Sequence, residues 1–145
     1  VEKTYRCVTV GVPKPDQAVC KAFLRRDTKA KSVSVFDKPQ PDAKTILTEY
    51  RVLRQKNGLA LLEVTLHTGR THQIRAHMAH LGYPLLGDTK YCTPESLKEA
   101  KALGLRQQVL CAWRLRFTDI AETSPLAYLN GREFYAKKLP DDWVK

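Results

Sequence analysis

The run His67-Thr68-Gly69-Arg70-Thr71-His72-Gln73-Ile74-Arg75-Ala76-His77 gathers the side chains best suited to chemistry. Its cations fall where a strand gives way to a helix: Gly69 permits a sharp turn, and the helix begins near Thr71. A helix N-terminus presents unpaired N–H groups and partial positive charge. Acidic side chains are the stabilising choice there. This one carries Arg70, His72 and Arg75 instead, and no Asp or Glu occurs between Glu63 and Asp88. Cations on a positive dipole end are unfavourable unless an anion arrives from elsewhere, a phosphate or a distant carboxylate. The plainer alternative is an arginine that reaches solvent or a strand carbonyl. His77 and His80 stand at i, i+3, but no carboxylate or cysteine nearby in sequence completes a ligand set, so no metal site is expected.

The elements that position this run follow from periodicity and turn chemistry. Thr4 to Gly11 alternates apolar and polar residues as a strand does, and Val12-Pro13-Lys14-Pro15-Asp16 breaks it. A short strand is expected over Val19 to Leu24. It runs into a basic stretch that includes Lys21, Arg25, Arg26, Lys29 and Lys31. That stretch is either a solvated loop or an arm that contacts phosphates. Ser32 to Phe36 is a further strand candidate, with Pro39 to Asp42 as loop. Lys44 to Arg54 and Leu59 to Leu66 are β-rich runs around Asn57-Gly58, a pair that supplies the positive φ angles of a tight hairpin. Between Thr71 and Leu81 the apolar positions Ile74, Met78 and Leu81 mark one helical face, ended by Gly82 and Pro84. Pro94-Glu95 opens a second helix to about Leu103, stopped by Gly104. Val109 to Thr118 is another strand, and Asn130-Gly131 signals a second hairpin between Leu126–Leu129 and Arg132–Ala136. Strands outnumber helices and hairpins dominate. The fold class expected is α+β, with a mixed, mostly antiparallel sheet flanked by helices.

The balance of charge points to a partner. Lys and Arg number 25 against 15 Asp and Glu in 145 residues, a formal net charge of +10. Such a surface favours a polyanion through steering and counterion release, ahead of one that serves solubility alone. Cys7, Cys20, Cys92 and Cys111 are widely spaced with no C-x-x-C pair, which suits reduced thiols in the cytoplasm. No apolar run approaches the ~20 residues that span a bilayer, so no membrane partner is expected. The sequence opens Val1-Glu2-Lys3 and its one methionine is Met78, which gives the expectation of an excerpt from a longer reading frame.

Leu66-His67-Thr68-Gly69-Arg70-Thr71-His72-Gln73-Ile74-Arg75-Ala76-His77, followed by Gly82-Tyr83-Pro84-Leu85-Leu86-Gly87-Asp88 and Tyr91, resembles the signature of RluA-type pseudouridine synthases. Matches over about 25 residues make this far more specific than an isolated T-G-R triplet. Lys3-Thr4-Tyr5 with Gly11 resembles the family's K-x-Y strand, and Thr48 to Leu53 the strand ahead of the signature. Gln108-Val109-Leu110-Cys111-Ala112, with Leu115 and Phe117, resembles a late L-H-A element, with Cys111 where His is usual.

The resemblance implies an enzyme that isomerises uridine in structured RNA, rRNA or tRNA, to pseudouridine without cofactor or metal. It implies catalytic roles for Arg75, which would pair with a nucleophilic Asp and hold it ionised, and for Tyr5, which would stack on the target base. Arg70, Thr71, His72, Gln73 and Leu110 would contact the RNA or wall the pocket. In the family the Asp lies in an H-R-L-D segment a few tens of residues before the K-x-Y strand, and no H-R-L-D occurs here. Residues 1–145 are therefore expected to be the C-terminal portion of a catalytic domain, inactive alone, whose partner is the missing N-terminal half. Asp88 holds a position that the family uses structurally. An open sheet edge left by the missing half would favour self-association. The alternative is a basic RNA-binding module of the same ancestry without catalysis.

Overall fold

Asn57 and Gly58 take φ angles of 54° and 77°, the two left-handed positions that a tight hairpin demands. They join β4 (Lys44–Lys56) to β5 (Leu59–Leu66), the centre of the sheet. The computed structural model describes residues 2–135. In chain order the other strands are β1 (Glu2–Val10), β2 (Gln17–Asp27), β3 (Ser32–Phe36), β6 (Leu110–Arg116) and β7 (Glu133–Tyr135). The sheet runs β3-β2-β4-β5-β1-β6-β7, and every pairing in it is antiparallel. Two helices, α1 (Gln73–His80) and α2 (Pro94–Ala102), complete the α+β fold. No helix among the described residues is long and apolar enough to cross a membrane.

Strand alternation decides where the core sits. Cys7, Leu62, Val64 and Tyr50 lie under α1 and meet its Ile74 and Met78. Burial of each such aliphatic side chain is worth about 2 kcal/mol, far more than the intrinsic preference of an eight-residue helix. Val8 and Leu61, the intervening positions, form a second cluster with Leu59 and Leu86. Burial on both sides explains why β5 begins as an unbroken apolar run, Leu-Ala-Leu-Leu. A bulge between Val52 and Arg54 adjusts the β4–β5 register and leaves Leu53 to pack with the second cluster.

The segment after α1 builds the next layer. Val10 N–H donates to the Pro84 carbonyl at 2.8 Å, and Leu86 N–H to the Val8 carbonyl at 2.8 Å. Residues 84–86 thus take the flank of β1 that β6 occupies further along. Val8 N–H then reaches the Val109 carbonyl at 3.1 Å, and Val109 N–H the Leu86 carbonyl at 2.8 Å. This lattice brings Asp88 and the start of β6 to the same end of the sheet as the start of α1.

Three expectations change. Arg25 and Arg26 of the basic stretch lie neither in a loop nor in a free arm, while Lys29 and Lys31 stand in the turn beyond: β2 continues to Asp27 because β3 pairs with it from Phe23↔Phe36 to Asp27↔Ser32. The turn is closed by the Asp27 carboxylate, which accepts from Lys29 N–H and Ala30 N–H. Leu126–Leu129 is not a strand. Ala127–Leu129 is a 3-10 turn, and Asn130 sits at φ −53° rather than in the left-handed region. Its side-chain amide instead holds the main chain of Ile120 from both sides, at 2.9 and 2.8 Å. The strand that follows pairs with β6, and Ala136, the last residue expected in it, lies outside the described residues. Finally, α1 begins at Gln73 rather than near Thr71, for the reason given next.

Candidate functional site

Gln73 fixes the entry to α1. Its Oε1 accepts from Arg70 N–H at 3.0 Å and from the Thr68 hydroxyl at 2.8 Å, closing the turn ahead of the helix. Its Nε2 donates to the Leu47 carbonyl and to Thr48 Oγ1, both at 3.0 Å, tying that turn to β4. All four capacities of the amide are used and the residue is buried. Gln73 therefore positions the site, with its hydrogen-bonding groups all engaged within the chain. The residue before it, His72, is the helix cap at φ 54°, with no side-chain capping bond and no acid in the first turn.

The same network ends on His77. Thr48 Oγ1 lies 2.7 Å from His77 Nδ1, and Nε2 of the ring is buried with no partner among the described residues. A second proton would be a buried charge without a counterion. Burial, with a smaller contribution from His80, pushes His77 down to about 4 from its usual 6.5, against the opposing pull of Asp37. The unfolded chain therefore takes up the proton first as pH falls. Stability should be independent of this group above pH 6.5 and decline from 6.5 to 4, by roughly 3 kcal/mol. Urea unfolding across that range checks it: the decline should flatten in a His77→Asn variant, and an equal decline there would remove His77 as its cause.

The carboxylate opposite the helix start comes from within the chain. Asp88 Oδ2 accepts from Arg75 Nε at 2.7 Å and Oδ1 from Nη2 at 3.0 Å. Lys90 N–H and Tyr91 N–H also donate to Oδ1, at 2.9 and 3.0 Å. Burial alone would raise the Asp88 pKa, but the hydrogen bonds from Arg75, Tyr91 and Lys90 outweigh it and hold the group below its ordinary value. Sequence spacing gave no sign of this pair, since the carboxylate lies 13 residues beyond Arg75 and across a turn. The distant carboxylate that the cationic helix start called for is thus supplied, at Arg75, by Asp88. One edge of its guanidinium is engaged, and Nη1 has no bonded partner among the described residues.

Tyr5, Leu66, Arg70, His72, Gln73, Ile74, Arg75, Gln108 and Leu110 line one open cleft of about 370 Å³. Three elements converge to make it: β1 supplies Tyr5, α1 and its entry turn supply His72 and Arg75, and β6 with its lead-in supplies Gln108 and Leu110. A neighbouring hollow of about 430 Å³ shares Tyr5, Leu66 and Arg70 and adds Lys3, His67, Thr68 and Gly69. Of the residues expected from sequence, Tyr5, Arg70, His72, Gln73, Arg75 and Leu110 meet in the cleft, while exposed Thr71 is not among its lining residues. Gln108, Leu66 and Lys3 were missed. They stand inside the matched motifs, which was their signal, but have no distinctive chemistry of their own. Among the described residues no three His, Cys, Asp or Glu side chains gather as a metal site. The arrangement offers apolar walls for a flat ring, a tyrosine, and guanidinium groups for anions.

Known proteins share this architecture. Residues 1–80 match the family described as RNA pseudouridylate synthase. An uncharacterized RNA pseudouridine synthase of Chlorobaculum parvum is 36% identical over 98% of this chain and 45% of its own length. Ribosomal large subunit pseudouridine synthase D of Haemophilus influenzae is 32% identical over 100% of this chain and 44% of that protein. The chain spans about half the length of the curated relatives it matches. Human RNA pseudouridylate synthase domain containing 4 superposes with a TM-score of 0.61 at 27% identity, covering 78% of this chain and 52% of the human one. Its counterpart, domain containing 1, has a TM-score of 0.67 at 21% identity over 86% and 55%, a likeness of fold. The chain belongs to the RNA pseudouridylate synthase family, and within it to the RluA type.

Proposed function

We propose that this chain forms the base-binding wall of an RNA pseudouridine synthase that isomerises specific uridines in structured RNA, with rRNA the substrate class favoured by the name of the Haemophilus influenzae relative. The observation that carries the reading is the meeting of Tyr5, Arg75 and Leu110, from three separate elements, in one cleft. Tyr5 stacks on the target base and Leu110 faces it as the apolar wall. Arg70 and His72 contact the RNA. Nη1 of Arg75 orients the nucleophilic carboxylate, which a segment of the H-R-L-D kind supplies from outside these 145 residues. The net charge of +10 draws the polyanion in.

A second reading has its own support. Arg75 already holds a carboxylate, Asp88, so its guanidinium has a counterion without a nucleophile. That favours an RNA-binding module without catalysis. Release of tritium from RNA labelled at uridine C5 separates the two. The chain alone should bind RNA, with affinity falling as salt rises, and release no label. The same chain joined to an H-R-L-D segment should release it, and Arg75→Ala in that context should abolish release. Turnover by residues 1–145 alone would overturn the proposed division of labour. Absence of turnover in both forms would leave the binding module.

A further inference from the structure

The Tyr91 hydroxyl sits between two groups that fix its direction. Val33 N–H donates to Oη at 3.0 Å, and His72 Nδ1 lies 2.8 Å from the same oxygen. A phenol has one proton to give. No other acceptor contacts Oη among the described residues, and giving that proton to Nδ1 is the arrangement in which each polar atom of the Val33–Tyr91–His72 chain has a partner. The ring proton of neutral His72 is then on Nε2. We propose that His72, with this tautomer set by Tyr91 as its positioning residue, donates its Nε2–H to a carbonyl oxygen of the base bound in the cleft. This deepens the proposed function and rests on the same cleft.

Two further observations support it. His72 keeps a left-handed backbone, φ 54° and ψ 23°, with no capping bond in return. A non-glycine residue bears about 1–2 kcal/mol of strain there, and such strain persists where the side chain has a task. Tyr91 is itself held firmly: its N–H bonds Asp88, the Arg75 guanidinium lies 5.2 Å from its ring centroid, and its ring meets that of His72 edge-on at 5.6 Å. Burial and the nearby cations Arg75, Lys90 and Arg26 disfavour protonation of His72, against the opposing charge of Asp88. A neutral N–H on a fixed ring is matched to a carbonyl, whereas Arg70 and Arg75 are matched to anions. Leu66, Ile74 and Leu110 make the same cleft apolar enough to take a base.

Nitrogen-detected NMR of the histidine rings in the whole chain tests this, with oligouridine and an abasic ribose-phosphate strand of equal length as probes. In the free chain His72 should show the Nε2–H tautomer, and Tyr91→Phe should release it into a mixture. Oligouridine should shift the His72 Nε2 resonance, and the abasic strand should not. Affinity for oligouridine should fall about tenfold in His72→Ala and be largely restored in His72→Gln, whose amide can place a donor near Nε2. An Nδ1–H tautomer in the free chain overturns the inference. So does an equal shift with the abasic strand, which would make phosphate the acceptor. Oligouridine that moves Tyr5 and Arg75 signals but leaves His72 unchanged overturns it while sparing the proposed function. No movement at any of the three overturns both.

Discussion

Replacing Asp88 with Ala should cost about 3–5 kcal/mol of folding stability, the range for removing one partner of a buried ion pair. The Asp88 carboxylate is fully buried and the Arg75 side chain only 16% exposed. Truncation leaves that guanidinium largely desolvated without its counterion and strips the Lys90 and Tyr91 N–H groups of their acceptor. Asp88→Asn should cost less than Ala, since one oxygen remains, but its NH₂ group then faces the guanidinium or the N–H groups. The pH dependence follows from the lowered pKa. Stability from Asp88 is fully present above the ordinary carboxylate value and is lost as pH falls through the depressed one. Denaturant midpoints for Asp88→Ala, Arg75→Ala and the double variant measure the coupling. A loss below about 1 kcal/mol in Asp88→Ala would mean that the pair is solvated and does not organise the cleft.

Gly87→Ala should be as damaging for a different reason. Gly87 has φ +85°, and a Cβ there would stand 2.0 Å from the Gln107 carbonyl oxygen and 2.9 Å from its carbon. Both are main-chain atoms and cannot swing aside. We expect a loss of about 4 kcal/mol or more, at the extreme of single substitutions. Gly82→Ala is the control. It shares the positive φ, +98°, but nothing lies within 4 Å of its added methyl, so only the left-handed strain of about 1–2 kcal/mol applies. Unfolding midpoints of the two variants decide the matter, and equal losses would show that φ alone matters. The approach at Gly87 also sets function, because Gln107 leads directly into Gln108 and Leu110 on the cleft wall. A folded Gly87→Ala chain should therefore bind oligouridine more weakly than Gly82→Ala does.

How far the sequence reached can be seen by comparing its two Asn-Gly pairs. Asn57-Gly58 lies between two β-rich runs that pair directly across it, and it makes the hairpin that its composition predicts. Asn130-Gly131 has the same composition, but its asparagine amide is taken up by the main chain of Ile120, ten residues away, and the preceding segment coils into a 3-10 turn. Turn chemistry was legible in both. The competing long-range bond was not. The basic residues after Leu24 were likewise visible as charges, yet whether they lay in a loop or a strand depended on β3 lining up beside them.

The candidate site divides in the same way. Part of its lining was readable from the sequence: motif resemblance named Tyr5, Arg70, His72, Gln73, Arg75 and Leu110, which meet in one cleft, but not Leu66, Ile74 or Gln108, which line it too. Residue type, helix period and the sterics of a turn act over a few neighbouring residues, so the sequence by itself determined the α+β class, the central hairpin, the two helices and the cationic start of α1. The partners of those cations were decided by tertiary structure. Asp88 reaches Arg75, and Tyr91 reaches His72, because residues 84–86 bond to β1 and Gly87 lets the chain turn against Gln107. Hydrogen-bond and charge partners depend on where distant backbone is brought in space. That placement is the summed result of core burial and sheet pairing, and no local run of residues encodes it.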